Sequence, residues 1–376
     1  MQGNKLRLAI RATASALILG TASQASAFEV SAGDYSADIY GYARFNASYD
    51  IDEEIGISTR SGAFSAINTG AAEDNEVTGH FGADAVQTRL GVRTTTPEGV
   101  KIVVEGDFRP GQLRLRHGYG EYKGVLLGQT WSNYNSFVGN TSTLDFDSLA
   151  GLAGLQGRVG QARYTSGPFS VSIEEATDTG IVGNPADKQG LPAFTARIQD
   201  SAGGFSYAGG LLAKQTTYDT GTDDDSIVGF AAFGAAKMAL GDTVTVQGTV
   251  SYTNGANGYL YRSGENFGAE DAYMDGSSLE AISGYGGSIG MGVNLGAGSS
   301  VNVGYGIATV DWDDAEDDGA AVADKSETNQ NLMANYQWSP VKNVKLGVEY
   351  AYFKRENVSG DDGDASRILF AGQYNF

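Results

Sequence analysis

Cysteine is absent from all 376 residues, so no disulfide can staple the chain. Histidine is nearly absent too: His80 and His117 offer no serine–histidine arrangement of the kind a hydrolase needs, and no enzyme activity is expected. Nothing beyond residue 27 approaches 18 consecutive apolar residues, which rules out a membrane-spanning helix. It does not rule out a membrane, because barrel strands alternate faces and their hydropathy averages to nearly nothing. Basic residues are few, 25 Lys and Arg against 45 Asp and Glu, and no nucleic-acid partner is expected at a net charge of −20.

What is present points to export. Lys5, Arg7 and Arg11 precede an apolar run from Ala12 to Gly20, then small residues ending Ala25-Ser26-Ala27. This is the order of a secretory signal peptide, with cleavage expected after Ala27 and a mature barrel domain over 28–376. A spanning anchor would need roughly twice that apolar length. Since the leader holds three basic and no acidic residues, its removal makes the charge three units more negative. Glycine is abundant (54), proline scarce (6), and tyrosine (20) and phenylalanine (16) are frequent. So much glycine disfavours helices, while the aromatics suit the girdles of a membrane barrel.

Segments of period-two alternation recur from residue 37 onward. Ile39, Gly41, Ala43, Phe45, Ala47 and Tyr49 share one face, with Tyr40, Tyr42, Arg44, Asn46 and Ser48 on the other. Val344, Leu346, Val348, Tyr350 and Tyr352 alternate with Lys345, Gly347 and Glu349. About sixteen such strands fit, and the gaps between them alternate long and short. The long gaps are 50–85, 132–159, 177–191, 214–225, 254–279, 311–327 and 355–365, with 109–112 short where a long one is due. The expected fold is therefore all-β: a transmembrane antiparallel barrel of about 16 strands, with short periplasmic turns and long extracellular loops. The final strand closes on Tyr374-Asn375-Phe376, similar to the insertion signal of outer-membrane barrels.

Thr88 to Thr94, with Glu105-Gly106-Asp107-Phe108, resembles the second and third strands of trimeric bacterial porins. Leu113 to Tyr122, Leu126 to Ser132, Leu144-Asp145-Phe146 and Arg158 to Thr165 resemble more closely the DcaP-like porins, a group associated with uptake of dicarboxylates and related organic anions. The specific resemblance spans about 86–176. Members of that group carry a coiled-coil extension before the barrel, whereas no heptads stand between Phe28 and Asp38. The resemblance implies a homotrimeric passive diffusion channel for small hydrophilic solutes, anions such as dicarboxylates among them. It also implies that the segment 132–159 folds inward as a constriction loop.

A channel of this kind selects through charged side chains where its lumen narrows. Asp145 and Asp147 would be the loop's acidic contribution. Opposite them, Arg44, Arg89, Arg93, Arg114, Arg116, Arg163 and Arg197 fall on inward faces. By resemblance Arg89, Arg116 and either Arg158 or Arg163 form the basic cluster facing the loop. Membrane barrels tolerate arginine poorly on the lipid face, so an inward position alone does not prove a selective role. The remaining acids cluster in loops, such as Asp223-Asp224-Asp225 and Asp311 to Asp318. There they would keep the loops solvated, or hold Ca²⁺ or Mg²⁺ and engage lipopolysaccharide beside the outer-membrane lipid. Alternation places His117 with Leu115, Tyr119 and Glu121 on the outward face, as trimer-interface material, and Trp131, Trp312 and Trp338 are expected in the aromatic girdle. A weakly cation-selective general porin and a structural or adhesive barrel remain open as alternatives.

Overall fold

The computed structural model describes residues 28–32, 35–109, 111–177, 179–183 and 186–376; the expected leader, 1–27, lies outside the described residues. Sixteen antiparallel strands close into a barrel. In chain order they are β1 (Tyr35–Asp50), β2 (His80–Asp84 continued by Arg89–Thr95), β3 (Lys101–Asp107) and β4 (Arg114–Tyr122). Next come β5 (Val125–Trp131), β6 (Arg158–Ser166), β7 (Phe169–Glu174) and β8 (Ala193–Ala202). They are followed by β9 (Phe205–Asp219), β10 (Asp224–Leu240), β11 (Val244–Asn254) and β12 (Ser283–Gly296). The last four are β13 (Ser299–Asp311), β14 (Ser326–Trp338), β15 (Val344–Asn357) and β16 (Asp362–Asn375). Closure runs from Tyr42 opposite Asn375 to Asp50 opposite Arg367. Beyond Tyr42 the segment Phe28–Ala32 pairs with Tyr35–Ile39.

The alternation read from the sequence sets the two faces. Phe45, Tyr49, Val250, Tyr252, Val348 and Tyr350 point outward, whereas Asn46, Ser48, Thr249, Ser251 and Glu349 are buried inside. One end of the barrel carries tight turns, such as 123–124, 167–168 and 297–298. The other carries most of the loop sequence, but less uniformly than expected. The gaps expected at 214–225 and 355–365 shrink to 220–223 and 358–361. Polar residues there continue the ladder, with Tyr218 opposite Asp225 and Glu356 opposite Asp362, because backbone pairing does not require apolar side chains.

Three loops, not one, fold into the barrel. The segment 132–157 packs Tyr134 and Ala153 with Ala208, Leu212 and Phe233 of β9 and β10. Its Leu149, Ala150 and Leu152 join Ile55, Phe64 and Ile67 of the loop after β1, Leu260 and Tyr261 of the loop after β11, and Met333, Ala351 and Phe353 of the wall. Glycine makes the close approach possible: a Cβ on Gly306 would lie 2.3 Å from the Ala150 carbonyl oxygen. Lys214 of β9 and Asp271 of the third loop form a buried ion pair. The loops thus form an internal core against the wall from β8 round to β16, and the tip of 132–157 faces β1–β6. Trp312 is likewise buried, its indole N–H donating to the Ser326 carbonyl at 3.1 Å, which corrects its expected girdle position. Trp338 stacks on the outward-facing Tyr336.

The loop after β1 carries a titration of its own. Both carboxylate oxygens of Glu53 accept the Asn68 N–H, at 2.8 and 3.0 Å. Burial pushes the Glu53 carboxyl up to about 7; the Asn68 N–H acts in the other direction, and repulsion from Glu76, Glu73 and Asp52 reinforces the rise. A carboxyl raised on folding stabilises the folded loop fully below its ordinary value of 4.5, and that contribution is lost as pH rises through about 7. Limited proteolysis within 51–79 is therefore expected to be slower at pH 4.5 than at pH 8. Glu53→Gln should reduce that pH dependence, leaving the part due to Glu76, whose carboxyl burial also raises; an unchanged pH dependence in that variant would locate the titration elsewhere.

Candidate functional site

Strand register assembles the basic wall. Tyr42 stands opposite Arg89, Arg89 opposite Asp107, Asp107 opposite Arg114, and Trp131 opposite Arg158, so one belt crosses β1 to β6. A β-bulge interrupts it. Gly106 pairs with Leu115 and Glu105 with His117, leaving Arg116 as the extra residue. The bulge returns His117 to the inward side, correcting the outward, interface position expected from strict alternation. The His117 Nδ1 lies 2.9 Å from the Thr130 hydroxyl, and its ring meets Trp131 edge-on at 5.8 Å. Trp131 is thereby part of the lumen wall rather than of the girdle.

The arginines at these positions do different things. Arg116 is fully buried; its Nε donates to Glu105 at 3.0 Å and its Nη1 to Asp107 at 2.8 Å. Arg114 grips the same Asp107 at 2.6 and 3.1 Å. Arg93 pairs with Asp38 at 2.8 Å towards the tight-turn end of β2. Arg44 donates to the Leu144 carbonyl at 2.8 Å and Arg197 to the Asn135 carbonyl at 2.7 Å, so these two fasten the loop. Arg89 and Arg158 have no carboxylate partner among the described residues, and Arg89 Nε and Arg158 Nη1 are buried without an acceptor. Arg89 lies over Tyr42 at 5.2 Å, and Arg158 over Trp131 at 4.4 Å. Arg158 lies in the field of Arg116, Arg89 and Arg114, whereas Arg163 neighbours Glu174 and Glu121. Of the two, Arg158 is the one the structure brings to the cluster.

Asp145 and Asp147 sit in the inward loop as expected, but neither is a free carboxylate facing the arginine belt. Asp145 accepts the N–H of Gly62 at 2.9 Å, of Asp147 at 2.9 Å and of Ser148 at 3.2 Å, and Arg367 approaches it to 3.9 Å. Asp147 is buried, with Arg109 at 3.6 Å. Sequence reasoning missed four residues that hold this arrangement. Glu349 of β15 accepts the N–H of Leu144 at 2.8 Å and of Asp145 at 2.7 Å. Arg109 donates to the Ser58 hydroxyl at 2.6 Å. Arg367 pairs with Asp50 at 3.0 Å. Arg262 donates to the carbonyls of Ser148 and Gly62 and lies against the paired rings of Phe64 and Phe353, at 4.7 and 5.2 Å from their centroids. Alternation marks Glu349 and Arg367 as inward, each flanked by residues that face lipid; Arg109 and Arg262 lie in loops, where no period exists to find them. Among the described residues, no three carboxylates or imidazoles are grouped to hold a metal ion.

The arrangement is an inward-facing wall of fixed cations opposite a pinned loop. A search of curated protein sequences gives no match. Among solved structures, the outer membrane channel DcaP of Acinetobacter baumannii is similar at 27% identity, covering 93% of this chain and 99% of that one, with a TM-score of 0.79. A Salmonella typhi OmpF complex with daunomycin is similar in fold at 12% identity, covering 93% and 100%, with a TM-score of 0.58. OmpT of Vibrio cholerae, in a trimer form, follows at 12% identity, covering 91% and 99%, with a TM-score of 0.51. The family model described as DcaP outer membrane protein matches residues 13–376. With that match and this barrel, the chain belongs to the DcaP outer membrane protein family and is a non-enzymatic, porin-type channel of the bacterial outer membrane.

Proposed function

We propose that this channel passes small hydrophilic solutes as a homotrimer and favours organic anions, dicarboxylates among them. The observation that carries the preference is the charge balance at the loop tip. Arg89, Arg109, Arg114, Arg116 and Arg158 converge there against Glu105, Asp107 and Asp147, and Arg89 and Arg158 keep buried N–H groups with no acceptor among the described residues. A guanidinium presents paired donors in the geometry a carboxylate accepts. Many of the acids behind the net charge of −20 lie in or beside the loops, as at 223–225, 311–318 and 361–364. At a screening length of about 8 Å, those farther than that from the belt act weakly on an ion there.

Single-channel recording in a planar bilayer under a KCl gradient tests this reading. Conductance in steps of three, with a reversal potential on the chloride side, is the expected result. Potassium preference would assign the field to the carboxylates and overturn the anion reading, and single rather than triple steps would overturn the trimer.

A further inference from the structure

Phe146 stands alone among its neighbours in the inward loop. Leu144, Asp145 and Asp147 are buried on either side of it, held by Glu349, the Gly62 N–H and Arg109. Arg44 holds the Leu144 carbonyl from β1. The loop is therefore fixed immediately before and after residue 146, and the ring is carried to one place. That place is the meeting point of three guanidiniums: Arg89 at 5.7 Å, Arg109 at 5.7 Å and Arg116 at 5.8 Å from its centroid. These arginines come from β2, from the turn after β3 and from the bulge of β4. Their mutual repulsion would drive them apart if only water lay between them.

We propose that Phe146 is a specificity-determining residue: its ring gathers Arg89, Arg109 and Arg116 into one cationic cage and gives the belt its preference for anions. The inference rests on the anion reading above. A ring face attracts a cation through its quadrupole, and the attraction grows as water is removed. A ring contact of this kind uses none of a guanidinium's N–H donors. Arg116 commits its Nε and Nη1 to Glu105 and Asp107, and Arg109 lies against Ser58 and Asp147, whereas Arg89 has no carboxylate partner among the described residues. Phe146 thus neutralises none of the positive charge. It holds three guanidiniums around one point of the loop tip, where their summed field acts on a passing anion. An aliphatic residue of similar bulk would fill the same space without drawing the guanidiniums together.

The test is a set of variants in the full-length protein, each checked for folding by the heat-dependent shift of the barrel on an unboiled gel. Phe146→Leu keeps the bulk and removes the quadrupole; Phe146→Tyr keeps both. In bilayers under a KCl gradient, Phe146→Leu should keep a conductance near that of the natural protein while its chloride-over-potassium permeability ratio falls about threefold or more. Phe146→Tyr should retain the natural ratio. Phe146→Ala should lose the ratio and gain conductance. If Phe146→Leu and Phe146→Ala fold and keep the natural ratio, the ring is only a spacer and the proposal is wrong. If the natural protein itself prefers potassium, the anion reading has failed, and this inference falls with it for that separate reason.

Discussion

Replacing Arg89 and Arg158 together with alanine is expected to lower the chloride-over-potassium permeability ratio on the order of tenfold. Neither guanidinium has a carboxylate partner among the described residues, so removing both strands no buried acid and leaves the ladder intact. A unit charge about 6 Å from a passing ion, in water-like dielectric, is worth about 0.7 kcal/mol. Two of them amount to about 1.4 kcal/mol in favour of the anion and as much against the cation; screening over a length of about 8 Å roughly halves this difference, leaving a factor of about ten in the ratio. The same pair changed to lysine keeps the charge and should keep most of the ratio while weakening carboxylate binding. Arg116 is a poorer probe, because its loss leaves Glu105 buried without its guanidinium and Asp107 with Arg114 alone, at a cost of several kcal/mol in folding. Reversal potentials in a KCl gradient measure the outcome. A ratio within twofold of the natural protein in the alanine pair would mean that other groups set the field.

Arg262→Ala is expected to loosen three loops at once without opening the barrel. The side chain is fully buried and ties the inward loop at Ser148 to the first loop at Gly62, while its own carbonyl accepts the Asn329 amide at 2.9 Å. Two hydrogen bonds from a charged donor are worth about 1.5–3 kcal/mol each, and each ring contact about 0.5–2 kcal/mol. Allowing for relaxation, about 3–5 kcal/mol of loop anchoring is lost. The sixteen-strand ladder contains none of these contacts, so the heat-dependent gel shift should change little. Single-channel records should show larger conductance with rapid flicker, and protease should cut within 51–79 or 255–282 faster. A quiet trace at natural conductance would mean that the apolar contacts of Leu149, Leu260 and Phe64 hold the loops unaided.

The barrel was legible in the sequence because its signal is periodic and repeated. Phe45 against Asn46, or Val348 against Glu349, states inside and outside at every step. The bulge was not legible, since one extra residue leaves the pattern on both sides of Arg116 unbroken and only the partner strand reveals the change of phase. In the sequence Asp145 and Asp147 read as the loop's acidic contribution to the narrowing, but nothing there tells what else their carboxylates hold. Asp145 instead accepts backbone N–H groups that hold the loop in place, and Asp147 is buried beside Arg109. Two further loops fold inward, at 51–79 and 255–282, and the sequence carried a signal for them. Ile55, Phe64, Ile67, Leu260 and Tyr261 are large apolar residues in segments otherwise assigned to solvent, where burial is the only favourable outcome. The short turns at 220–223 and 358–361 were hidden for the opposite reason: polar residues in an extended ladder look like a loop.

The bulge at Arg116 also changes how densely a strand can place polar side chains on its inner face. A regular strand offers an inward position only at every second residue, about 6.8 Å apart. At β4 the chain offers Arg116 and His117 consecutively, and Arg114 two residues earlier, so three polar side chains reach the lumen within four residues. Deleting residue 116 outright, rather than substituting it, would remove one cation and restore an unbroken ladder on either side. A local insertion is thus a way to concentrate field at one depth of a wall without adding a strand to its circumference.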